Sequence, residues 1–130
     1  MLNESTVVAM AAVKDLAEAK QFYGETLGLN VTDNPMGLIE LQIEGSNNII
    51  IYSKPNHTPA TFTILNFPVN NIDEAVEELK NSGVEFERYD EEFMKTDEKG
   101  IARGIKEGQG PDIAWFKDPA GNFLSVLQEG

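Results

Sequence analysis

The chain repeats itself at half its length, and no other feature restricts its folds as much. Val13-Lys14-Asp15-Leu16-Ala17-Glu18-Ala19 aligns with Val69-Asn70-Asn71-Ile72-Asp73-Glu74-Ala75 at an offset of 56 residues. Each copy follows an apolar run expected as a strand, at 7–13 and 62–69. Each leads into a helical pattern. Leu16, Ala19, Phe22, Tyr23 and Leu27 share one face in the first, and Ile72, Ala75, Val76 and Leu79 share one in the second. Asp15 and Asn71 stand where N-caps belong, with Glu18 and Glu74 placed to complete a capping box. Gly28 and Gly83 end the helices, because glycine enters the left-handed region at little cost. Strands are expected directly after them, at 29–31 and 84–86. The identities are few; the matching order of strand, cap, helix, glycine and strand carries the repeat.

Two more strands are expected after each unit. In the first half they are 37–44 and 48–52, joined by a turn at Gly45-Ser46-Asn47. In the second they are 112–116 and 123–128, joined by Asp118-Pro119-Ala120-Gly121-Asn122, a strongly marked turn. Each half therefore reads β-α-β-β-β, an α+β chain of eight strands and two helices.

Composition removes many chemistries. The 130 residues suit one domain, here built from module one at about 5–56 and module two at about 60–130. Ten basic residues stand against 22 acidic ones, a net charge of −12, which argues against nucleic acid or an anionic membrane as a partner. The absence of Cys excludes disulfides, thiolate nucleophiles and Cys-ligated zinc, and a single His excludes a multi-His site in one chain. No run approaches the roughly 18 apolar residues of a membrane span, and the start lacks the positive charge of a signal peptide. A cytoplasmic protein is expected. No serine sits in a Gly-x-Ser-x-Gly context, and the glycines lack phosphate-loop spacing.

The pattern resembles the vicinal oxygen chelate (VOC) superfamily, the glyoxalase/bleomycin-resistance/extradiol-dioxygenase group. The resemblance is carried by Lys14 to Tyr23 with Leu27-Gly28-Leu29, by Asn71-Ile72-Asp73-Glu74-Ala75 with Ser82-Gly83-Val84, and by Ala114-Trp115-Phe116-Lys117-Asp118-Pro119-Ala120-Gly121-Asn122-Phe123. It implies two tandem βαβββ modules forming a curled, barrel-like mixed sheet around a central cleft. It also implies a homodimer and, in many relatives, a divalent metal in the cleft.

The family's metal ligands are His, Glu or Gln on four inner strands. The matching positions here are Val8, Ile51 (the looser match), Ile64 and Ser125. Three hydrocarbons and one hydroxyl make a poor cation site, so the cleft is expected to be metal-free. The alternative needs a displaced site using His57, otherwise a solvated histidine in the connection between modules, or Glu40, otherwise on the outward face of a strand.

An apolar cleft with a few polar groups suits a small organic ligand. Candidate lining residues are Tyr52, Phe93, Met94, Trp115 and Ser125. Trp115 is also readable as a core aromatic under the Asp-Pro turn, and Phe93-Met94 as buried beneath their loop. The segment 85–107 holds both arginines of the chain within an otherwise acidic loop. In the family such loops cover the cleft; for an anionic ligand, Arg103 or Arg88 would be the clamp. The leading reading is a metal-independent, drug-sequestering binder, in which the negative surface favours a cationic or aromatic ligand. The alternatives are a glyoxalase-like lyase or isomerase or a dioxygenase with a displaced divalent metal, or metal-free acid–base catalysis by Tyr52 or a Glu.

Overall fold

A computed structural model describes residues 1–130, and the chain divides into two units, Met1–Pro59 and Ala60–Gly130. The first runs β1 (Ala9–Val13), α1 (Leu16–Gln21), β2 (Asn30–Asn34), β3 (Leu38–Gln42) and β4 (Ile49–Ser53). Its sheet has the order β1-β4-β3-β2, with β1 parallel to β4 and the other pairs antiparallel. The Asp15 side chain caps α1 by accepting the Glu18 N–H at 3.1 Å. The helix does not continue to Gly28 as one α-helix. It widens into a π-helical turn, Phe22–Thr26, in which the Leu27 N–H donates to the Phe22 carbonyl. Gly24 weakens the α form there, and the turn stacks Phe22 edge-on against the fully buried Tyr23. Strand alternation then sorts the sheet. Ala11, Val13, Ile39, Leu41 and Ile51 are buried with Ala19 and Tyr23 on the side of α1. Met10, Ile50, Tyr52 and Glu40 take the other face.

The second unit runs β5 (Thr63–Pro68), α2 (Ile72–Asn81), β6 (Asp90–Glu91), β7 (Met94–Lys95), β8 (Ala102–Arg103), β9 (Asp112–Lys117) and β10 (Phe123–Gln128). Its main sheet, β5-β10-β9-β8, reproduces the first sheet position by position, including the parallel outer pair. The Asn71 side chain accepts the Glu74 N–H at 3.1 Å. At the other end of α2 the Val84 N–H reaches the Leu79 carbonyl and the Gly83 N–H the Lys80 carbonyl. This is a Schellman closure, and it requires the positive φ of 100° that Gly83 supplies. Ile72 and Val76 bury against β9 and β10, where Ala114, Phe116, Leu124 and Val126 form the core face.

One expected strand is replaced. Residues 84–86 form no ladder; Phe86 makes a single bridge to Phe116, and the Glu87 N–H donates to the Trp115 carbonyl at 2.8 Å. The chain then leaves the sheet edge for residues 88–101 and returns as β8, where Ala102 and Arg103 pair with Ile113 and Asp112. The detour carries its own hairpin, β6–β7. Its run of adjacent charges has low strand propensity, whereas in the first half Asn30–Asn34 pairs with β3 directly. Ten short strands therefore stand where eight were expected. The Asp118 turn matches its sequence signature: the buried carboxylate accepts the N–H groups of Ala120 and Asn122 and the Asn122 side-chain amide. No helix is long and apolar enough to cross a membrane.

Candidate functional site

Trp115 points to the face of β9 opposite Ala114 and Phe116, away from α2. Its neighbour across the ladder is Ser125 on β10, and Ser125 in turn lies beside Asn66 on β5. The fully buried Ser125 hydroxyl donates to Asn66 Oδ1 at 2.6 Å. The 88–101 detour brings Tyr89 edge-on to the indole, with centroids 5.7 Å apart and planes at 80°. Tyr89 is fixed by its own backbone, whose N–H donates to Thr96 Oγ1 at 2.9 Å while the Thr96 N–H returns to the Tyr89 carbonyl.

Beside these rings opens a mostly apolar pocket of about 230 Å³. Trp115 and Phe123 line it from the sheet, Tyr89, Glu91 and Met94 from the detour, and Thr61, Phe62 and Thr63 from the entry to β5. Burial, then the negative charges of Glu87 and Glu91, raise the pKa of the Tyr89 hydroxyl. A second hollow, about 360 Å³, lies in the first unit among Asn30, Gln42, Ile43, Glu44 and Asn48. It has no aromatic wall, so the pocket of the second unit is the stronger small-molecule site.

The residues singled out in the sequence divide clearly. Trp115 and Met94 meet in the pocket, whereas Phe93, next to Met94 but on the hairpin turn, is 92% exposed. Tyr52 belongs to the first unit, on the β4 face away from α1. Ser125 supports the floor strand through Asn66 and does not line the pocket. Glu40 accepts from the amides of Asn34 and Asn48. His57 lies in the turn after β4, its backbone N–H on the Lys54 carbonyl.

Arg103 has internal partners in place of an anion. Its Nη1 and Nη2 grip Asp73 of α2 at 3.1 and 2.7 Å, its Nε donates to Asp97 at 3.0 Å, and Asp112 lies 3.6 Å away. Lys99 adds a 3.0 Å contact to Asp73. Hydrogen bonds from Arg103 and then Lys99 hold the Asp73 carboxyl well below the usual range, and Asp73 in turn raises the Arg103 pKa. Burial pushes Asp97 up, but the Ile101 N–H and Arg103 outweigh it and its pKa falls. Arg88 reaches the Asp97 carbonyl at 3.5 Å. These bonds tie the base of the detour to α2 and β9.

The four positions matched to metal ligands do not suit a cation. Val8 precedes β1 and is half exposed; Ile51 faces the core beneath α1, so Ile50 and Tyr52 take the opposite face of that strand. Ile64 sits at a bulge, where the register jumps from Thr63 to Leu65. With the Ser125 hydroxyl engaged by Asn66, this set holds three hydrocarbons and one occupied oxygen. No group of three or more His, Cys, Asp or Glu side chains is placed to hold an ion. Sequence reasoning missed Tyr89, Glu91, Phe62 and Phe123. No local pattern marks the hairpin residues, because the turn at Phe93 breaks strand alternation and leaves Met94, not Phe93, on the pocket.

This architecture defines a tandem βαβββ protein with an aromatic pocket on its second sheet. The family model of the Glyoxalase/Bleomycin resistance protein/Dioxygenase superfamily matches residues 6–126, and the chain belongs to that superfamily. Among solved structures, TnmS3, an antibiotic binding protein from Streptomyces sp. CB03234, is 20% identical, with 98% of each chain covered and a TM-score of 0.67. A glyoxalase family protein from Bacillus anthracis is 23% identical over 100% of both chains, with a TM-score of 0.66. A glyoxalase/dioxygenase from Nostoc punctiforme is 15% identical, covering 98% of this chain and 92% of its own, with a TM-score of 0.68. At these identities the likeness shows the fold alone. No curated protein matches the sequence.

Proposed function

We propose that this protein binds a small organic molecule in the pocket of its second unit, without a metal ion, and sequesters it rather than transforming it. One observation carries the reading: the pocket is built from aromatic and apolar side chains, while the positions where relatives carry cation ligands hold hydrocarbon and an engaged hydroxyl. Apolar walls with a few polar groups are the general form of such sites. The fold shared with an antibiotic binding protein supports the same reading. Its volume of about 230 Å³ suits one or two rings, below the roughly 300 Å³ at which drug-sized sites begin. A larger ligand would project from it. We take the protein to act as a homodimer in the cytoplasm. Exposed Val7, Val8 and Met10, on and before the edge strand β1, are the apolar surface available for self-association.

Trp115 is the chain's sole tryptophan, so its fluorescence reports on the pocket. Titration with a panel of aromatic small molecules should change that emission and raise the melting temperature by mass action. Protein purified without chelator should carry no stoichiometric metal by elemental analysis. Stoichiometric zinc, nickel, manganese or iron, or ligand binding that Met94→Trp leaves untouched, would remove the proposal.

A further inference from the structure

We propose that the second-unit pocket selects an organic cation, a positively charged nitrogen carried on an apolar or aromatic body. This rests on the small-molecule reading above and adds the charge of the ligand. Tyr89, Trp115 and Phe123 present rings to the pocket, and ring faces attract cations. Glu91 is the one ionisable acid or base among the lining side chains besides the Tyr89 phenol. Burial first, then the carboxylates of Glu87 and Glu91, oppose ionisation of that phenol; burial disfavours either sign of charge, and only the two carboxylates disfavour a negative one in particular.

The pocket lining holds no cationic side chain to pair with an anion. Arg103 and Lys99 are committed to Asp73, Arg88 reaches a backbone carbonyl, and Lys95 sits opposite Asp90 in the hairpin. Phe123 holds a cation outside the pocket: the Nζ of Lys117 lies 5.0 Å from its ring centroid. That ammonium is also 3.7 Å from Glu87, and Lys117 does not line the pocket, which leaves Glu91 without a cation there. The net charge of −12 adds long-range attraction of the same sign.

The test compares benzyltrimethylammonium with its uncharged carbon isostere, neopentylbenzene, by Trp115 fluorescence and thermal shift at two salt concentrations. A cation–ring contact and one exposed ion pair together should favour the cation by about tenfold. Glu91→Gln should reduce that preference by about threefold. Glu77→Gln, on the exposed side of α2, changes net charge equally and should leave it intact, separating local from global electrostatics. Equal binding of the two probes, both blocked by Met94→Trp, would overturn the charge assignment and leave the pocket reading standing. A preference that Glu77→Gln lowers as much as Glu91→Gln would overturn the role of Glu91. If neither probe binds, the charge assignment falls; if the aromatic panel also finds no ligand, the pocket reading falls with it.

Discussion

Arg103→Ala removes the tie at the base of the detour, and the structure sets the size of the effect. The guanidinium makes two hydrogen bonds to Asp73 and one to Asp97. Charged hydrogen bonds are worth about 1.5–3 kcal/mol each when shielded from water. Here the side chains of Arg103, Asp73 and Asp97 are 28%, 42% and 32% exposed, so screening reduces each to about 1 kcal/mol. Asp73 also keeps Lys99 after the change. The loss should therefore be about 2–3 kcal/mol, which for a chain of this size lowers Tm by about 6–12 °C. Urea and thermal unfolding followed by circular dichroism measure it. Arg103→Lys keeps the charge without the fork and should fall in between. Because the tie spans α2, the detour and β9, amide exchange should accelerate across 88–101 before it does in β9 or β10. A Tm change under about 2 °C, or uniform acceleration over the whole second unit, would refute the assignment.

Further expectations follow from single sites. The folded pKa of Asp73 lies below its ordinary 3.8, so its contribution to stability is complete above that value and is lost as pH falls below it. The urea midpoint should therefore drop more steeply below pH 4 in the natural protein than in Asp73→Asn. Ser125→Glu buries a carboxylate beside Asn66, and it should cost about 2–4 kcal/mol without producing tight nickel or zinc binding. Calorimetric titration with either metal checks this, and tight binding would show that the matched positions are misassigned. Gly104→Ala would place a Cβ 2.5 Å from the Pro111 carbonyl oxygen and should destabilise by about 1–3 kcal/mol in chemical denaturation. Gly28→Ala meets no atoms but must hold φ at 73°, so a smaller loss of about 1 kcal/mol is expected.

What was legible in the sequence is what short-range chemistry specifies. Asp15 and Asn71 cap helices through N–H groups three residues away, Gly28 and Gly83 supply the positive φ that ends them, and Asp118 organises a five-residue turn around its own carboxylate. Each depends on neighbours in the chain, and their recurrence in both halves implies the same sheet twice. Side-chain direction in the sheets was decided elsewhere. A shift of one residue turns a strand residue to the opposite face, so Ile51 lies beneath α1 where its neighbour Tyr52 does not, and the bulge takes Ile64 out of register. Arg103 looked like a ligand clamp because its partner Asp73 is 30 residues away on another element. Tyr89 reaches Trp115 only because the interrupted edge of the sheet throws a hairpin back toward β9. Caps and turns are written locally, whereas a pocket wall depends on strand register and on contacts between distant segments, which appear only once the chain has packed.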